Sequence, residues 1–144
     1  MIDFIKGAIS IGEKSISCVT STEDLSELAN ENVIEKRRDF GGLYYYFESE
    51  TEDLRFKGFI SLKEQKIKWI LLRWRDSSNR SWDDASEEAM IEEYRMISNF
   101  IKKKIGASPN KSKTGTRSWR LKWGQLDVSY EIRSCDVAIF MTPR

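Results

Sequence analysis

With 144 residues, the chain fits a single domain that can bury about two-thirds of its unfolded surface without disulfide or metal staples. Its 7 Phe, 5 Trp and 5 Tyr exclude a disordered chain, because aromatic rings supply large buried areas. The 24 basic and 23 acidic side chains nearly cancel and point to no partner class, and no run of about 18 apolar residues suggests a membrane span.

The opening MIDFIKGAISIG lacks the apolar run and small-residue cleavage site of a signal peptide, so a soluble, cytoplasmic protein is expected. Cys18 and Cys135 sit in β-prone apolar segments and are expected to be reduced, buried thiols. Residues 8–20 hold short β-prone runs broken at Gly12. Ser21 or Thr22 then caps a short helix near 22–29, with Glu23 and Asp24 in its first turn, where carboxylates suit the positive helix end. Three strands follow. LYYYFE comes after Gly41-Gly42. In LRFKGFISL, Gly58 breaks the alternation and marks a candidate bulge. KIKWILLRW carries Ile67, Trp69 and Leu71 on one face and Ile70, Leu72 and Trp74 on the other, the pattern of a strand buried on both faces. KEQK links the last two as a hairpin.

After a polar loop at 75–83, the strongest helix is expected from about 84 to 105. Asp84 is its predicted N-cap and Glu87 the capping-box acid. Met90, Tyr94, Ile97, Ile101 and Ile105 form one apolar stripe; Lys102, Lys103 and Lys104 fill the last turn, and Gly106 and Pro109 end it. Three closing strands follow. Trp119, Leu121 and Trp123 share a face, a turn falls at Gly124-Gln125, Leu126, Val128, Tyr130 and Ile132 alternate, and 137–141 is an apolar last strand. The fold class expected is α+β: antiparallel meanders with the long helix packed on the sheet. One domain spans 1–144 and divides into two helix-plus-three-strand halves, 1–76 and 84–142. An exposed edge at 137–141 would pair with a copy of itself and give a homodimer.

Without histidine, Ser-His-Asp and Cys-His nucleophile systems and most zinc sites are excluded. No Walker A loop is present and no GxGxxG precedes a helix. Paired carboxylates remain the only enzymatic option, with a divalent cation or acid-base chemistry at residues 48–53 or 83–88. Solvated strand ends and helix-dipole matching explain those acids better, so no catalysis, cofactor or metal is expected.

Charge is segregated instead. Residues 82–93 carry six acids and no base, and residues 101–123 eight bases and no acid. The reading favoured is an acidic face that binds a basic protein by steering and phosphate mimicry. Its contact candidates are Glu48, Glu50, Glu52, Asp53, Asp83, Asp84, Glu87 and Glu88, with Tyr44, Tyr46 and Trp82 as aromatic anchors. Three consecutive tyrosines in a strand must put at least one on the outer face. The alternative is a nucleic-acid-binding or phage-type regulatory protein using the basic segment 111–122, with Trp119 and Trp123 stacking on bases. Those tryptophans share the core-like face while Arg120 and Lys122 take the other, and the near-zero net charge further weakens nucleic acid as a partner.

Two stretches carry a family resemblance: GAISIGEKS, TEDLSELAN, YYYF, FKGFISL and KIKWILL, then EEYRMISNFIKKKIGASP and SWRLKWGQLDVSYEIRSCDVAIFM. Their layout resembles the small bacterial immunity proteins of contact-dependent and polymorphic toxin systems. The helix-plus-meander unit also resembles the repeat of the β-lactamase inhibitory protein and of outer-membrane assembly lipoproteins, whose export signal and lipobox cysteine are missing here. The resemblance implies a cytosolic inhibitor that binds the catalytic domain of a cognate toxin stoichiometrically. It carries over no site residue.

Overall fold

In the computed structural model, which describes residues 1–77, 79 and 86–144, the chain opens with a small antiparallel sheet of β1 (Ile2–Asp3), β2 (Ala8–Ile11) and β3 (Lys14–Ser17). Helix α1 (Thr22–Asn30) follows, capped by Ser21, whose Oγ accepts the Asp24 N–H at 3.1 Å. Next come β4 (Glu35–Asp39), β5 (Gly42–Thr51), β6 (Leu54–Lys63) and β7 (Lys66–Trp74). Helix α2 (Glu87–Ile105) precedes β8 (Lys111–Lys113), β9 (Thr116–Leu121), β10 (Gly124–Glu131) and β11 (Asp136–Pro143).

The expected α+β class holds. The last eight strands form one antiparallel sheet in the order β4-β5-β6-β7-β11-β10-β9-β8. Each half contributes a helix and four strands, not three. The overlooked strands are the two edges, EKRRD and KSK. Edge strands bury no complete face and need no alternation, and their lysines and arginines discourage edge-to-edge pairing. The halves meet at the centre, where β11 pairs with β7 through Ile139–Leu72, Phe140–Leu71 and Met141–Ile70. Residues 137–141 are therefore central, and the self-pairing edge expected there does not exist.

One face of the sheet is the core. Tyr45, Ile60, Ile70, Met141, Leu126 and Trp119 pair strand to strand across it, each 2% exposed or less. Helix α2 covers β10 and β11 with Met90, Tyr94, Ile97 and Ile101. The small sheet is stitched in by a T-shaped Phe4–Phe100 contact at 6.3 Å and by the Trp123 indole, which donates to the Phe4 carbonyl at 2.9 Å. Trp123 lies in the two-residue turn Lys122-Trp123 joining β9 to β10, two residues before the turn expected at Gly124-Gln125.

Three further local expectations change. Gly58 is no bulge: it pairs regularly with Phe47 and Leu72, and a Cβ there would collide with the Phe47 ring. The register break falls between Ser61 and Leu62. The cap of α2 is Ser86, whose Oγ accepts the Ala89 N–H at 3.0 Å, so the helix starts at Glu87 rather than 84. Its other end is as expected, with Gly106 left-handed (φ 77°) and donating to the Lys102 carbonyl. Both cysteines are free and buried, and burial pushes the Cys18 thiol up to about 12.

Candidate functional site

Among the described residues, neither helix nor the small sheet packs on the second face of the large sheet. Side chains alternate along a strand, so burying Tyr45 and Phe47 forces Tyr44, Tyr46, Glu48 and Glu50 onto this open face. Strand pairing then places one rung across all eight strands: Glu35, Tyr46, Phe59, Leu71, Phe140, Asp127, Ser118 and Lys111. Its middle is apolar. Leu71 is 9% exposed and the rings around it are half-buried, packed against one another. Tyr46 meets Phe59 edge-on at 5.5 Å, Tyr44 meets Phe59 at 6.1 Å, and Trp69 meets Phe140 at 5.9 Å in a T-shape. This is an aromatic patch of the composition enriched at interface centres.

Cations frame the patch. The Arg37 guanidinium lies 3.8 Å over the Tyr46 ring, Lys68 4.2 Å over Trp69 and Arg73 5.4 Å over Phe59. Arg73 also grips Asp136 with two hydrogen bonds, at 2.8 and 3.0 Å. Arg37 pairs with Glu35 at 2.9 Å and holds that carboxyl below its usual range. Burial, followed by the charge of Glu48, pushes the Tyr46 phenol above its usual range.

The expected acidic residues that are described do not assemble into one surface. Glu48 and Glu50 share the open face with Tyr44 and Tyr46, but Arg75 sits 3.6 Å from Glu48 and Arg55 3.4 Å from Glu50. Glu52 and Asp53 form the β5–β6 turn. There Lys104, in the last turn of α2, pairs with Glu52 and lowers its pKa. Glu87 and Glu88 lie at the opposite end of that 19-residue helix, about 25 Å away at 1.5 Å per residue. Trp82, Asp83 and Asp84 lie outside the described residues. Phosphate mimicry by a continuous acidic face therefore has no geometric basis among the described residues.

The base-stacking alternative loses its aromatics. Trp119 is 1% exposed and its indole donates to the Ala107 carbonyl at 3.0 Å, while Trp123 is tied to Phe4. Of the basic segment, Lys111, Lys113 and Arg120 reach the open face; Arg117 points inward, 5.2 Å from the Tyr94 ring.

Phe59, Trp69, Leu71 and Phe140 were not singled out from the sequence as site residues. The signal was present in KIKWILLRW, which is apolar on both faces although the described residues cover only one face of its sheet. Among the described residues, no group of three or more His, Cys, Asp or Glu side chains is placed to hold a metal ion, and no helix is long and apolar enough to cross a membrane. No protein-family model, no curated protein and no solved structure matches the chain.

Proposed function

We propose that this chain is a binding module of the immunity-protein kind, which neutralises a cognate antibacterial toxin domain in the cytosol by covering it with the open face of its large sheet. The observation that carries this reading is the apolar rung Tyr46–Phe59–Leu71–Phe140, on a face that nothing else in the described chain covers. Leaving such a patch to water forgoes about 25 cal/mol for each Å² of apolar surface, so a partner that covers it gains that amount. Eight strands spaced about 4.8 Å apart make a face about 35 Å across. That is ample for the roughly 800 Å² per partner of an ordinary specific interface. The rings are fixed by cross-strand packing and by Arg37 and Arg73, so little side-chain entropy is lost on binding.

Co-expression with the product of the neighbouring gene in a bacterial host tests the proposal. The wild-type chain should protect growth and co-purify with that product as a stoichiometric complex. Tyr46→Thr combined with Phe59→Thr should abolish protection while the circular dichroism spectrum stays native. A neighbour that is not toxic, or protection undiminished by the double variant, contradicts the proposal.

A further inference from the structure

The basic segment 111–122 has so far no role. Two of its lysines and one arginine surround a depression of about 350 Å³ on the open face, immediately beside Phe140. Lys111 and Lys113 come from the edge strand β8 and Arg120 from β9, while Ser118 and Asp127 line the floor. The walls are fixed. The Asn110 carboxamide accepts the Arg120 N–H at 2.7 Å, and the Asp127 carboxylate accepts from Ser118 Oγ and, at 2.9 Å, from Gln125 Nε2. Three cations thus face one carboxylate that is already hydrogen-bonded. Among the described residues no acid lies within ion-pair distance of Lys111, Lys113 or Arg120.

We infer that this depression receives acidic side chains of the partner protein, placed next to an apolar group that lands on Phe140 and Leu71. The inference rests on the open face being the interface and adds the partner's chemistry: an apolar surface bordered on one side by aspartate or glutamate. It reverses the basic partner expected from the acid clusters, because Glu48, Glu50 and Glu52 each hold a cation of this chain while Lys111, Lys113 and Arg120 hold no carboxylate among the described residues.

Charge and ring geometry favour a protein over a nucleic acid. The other four arginines of the face each hold a carboxylate: Arg37 with Glu35, Arg55 with Glu50, Arg73 with Asp136 and Arg75 with Glu48. Lys111, Lys113 and Arg120 therefore form one cluster at the β8–β9 end, while Lys57, beside Glu48 and Arg73, and Lys68, over Trp69, stand singly near the middle, so among the described residues the free cations do not line up as a phosphate track does. The flat sides of Tyr46 and Trp69 already carry Arg37 and Lys68, and the rings meet edge-on, so stacking platforms for bases are not laid out.

The test is a nitrogen-15 NMR titration of the full chain at low salt with an oligoglutamate peptide, and separately with an oligothymidylate of equal charge. Oligoglutamate should shift the amides of residues 111–120 and of Phe140, and Lys111→Glu with Lys113→Glu and Arg120→Glu should remove those shifts. Oligothymidylate should act more weakly. Equal or stronger shifts with oligothymidylate overturn the inference in favour of nucleic acid, and no shift with either probe overturns it outright. With the cognate partner, the triple charge reversal should weaken binding by about tenfold, since each exposed pair contributes modestly. If Phe59→Thr weakens that complex and the charge reversal does not, this inference fails and the open-face reading stands. If neither matters, both fail.

Discussion

Gly58→Ala should destabilise the protein, although glycine is a poor strand residue. In an open strand, alanine gains about 0.5–1 kcal/mol over glycine because the unfolded chain loses less entropy. At Gly58 the added methyl meets the Phe47 ring, which is 2% exposed and lies in a row with Leu72 and Ile139, themselves at 0% and 1%. The ring has nowhere to go without displacing core neighbours. Overpacking of this kind costs about 1–3 kcal/mol. The net expectation is a loss of about 0.5–2 kcal/mol, or a melting point lower by a few degrees for a chain of this size. Urea denaturation followed by circular dichroism measures it. Phe47→Leu removes the collision, so in a double-mutant cycle Gly58→Ala should cost less on the Phe47→Leu background than on wild type. A stabilising Gly58→Ala, or one that costs the same on both backgrounds, refutes the regular Phe47–Gly58 pairing.

Three further outcomes are expected. The β6–β7 turn holds Glu64 and Gln65 at φ 53° and 65°, the conformation of a type I′ turn; replacing them with Asn-Gly should raise stability in urea by about 1 kcal/mol. Glu93 of α2 is buried, accepts hydrogen bonds from Ser77 Oγ and Asn79 Nδ2, and has its pKa raised above 4.5, chiefly by burial. A raised folded-state pKa gives stability that is complete below the unfolded value and is lost as pH rises through the folded one. The melting point of wild type should therefore fall over that range, relative to Glu93→Gln, and a parallel pair of pH profiles would count against this role. Cys18, buried and with its thiol pushed to about 12, should resist a thiolate-specific reagent at pH 8 until the chain is unfolded; labelling of the native protein at the rate of a free thiol would contradict its burial.

The parts of the fold that were legible are those with complete periodic signals. The stripe Met90–Tyr94–Ile97–Ile101 does face the core, and YYYF does place Tyr44 and Tyr46 on one face and Tyr45 on the other. What was not legible depends on pairing between distant segments. That 137–141 lies beside β7 and not at an edge follows from how two meanders join, and no local pattern in VAIFM encodes it. The charged strands β4 and β8 were missed for a different reason: an edge strand is held by backbone bonds on one side and carries no apolar face to recognise. For the site, alternation exposed the tyrosines. The rest of the patch looked like core because β7 is apolar on both faces, and only the layer arrangement shows that one of those faces is left open. The pairing of Glu48, Glu50 and Glu52 was not legible because sequence proximity does not show that Arg75, Arg55 and Lys104 approach them from other strands and from α2.

Whether a partner seats on the open face is decided by the affinity of single variants for the cognate partner. Phe59→Thr, in the middle of the aromatic rung, and Glu88→Lys, at the start of α2 on the other side of the sheet, would each be titrated by calorimetry against the product of the neighbouring gene. At least a thirtyfold loss is expected for Phe59→Thr, the size of a hot-spot truncation of about 2 kcal/mol, and little change for Glu88→Lys. The opposite order, with the helix variant crippled and the sheet variant binding normally, would contradict it.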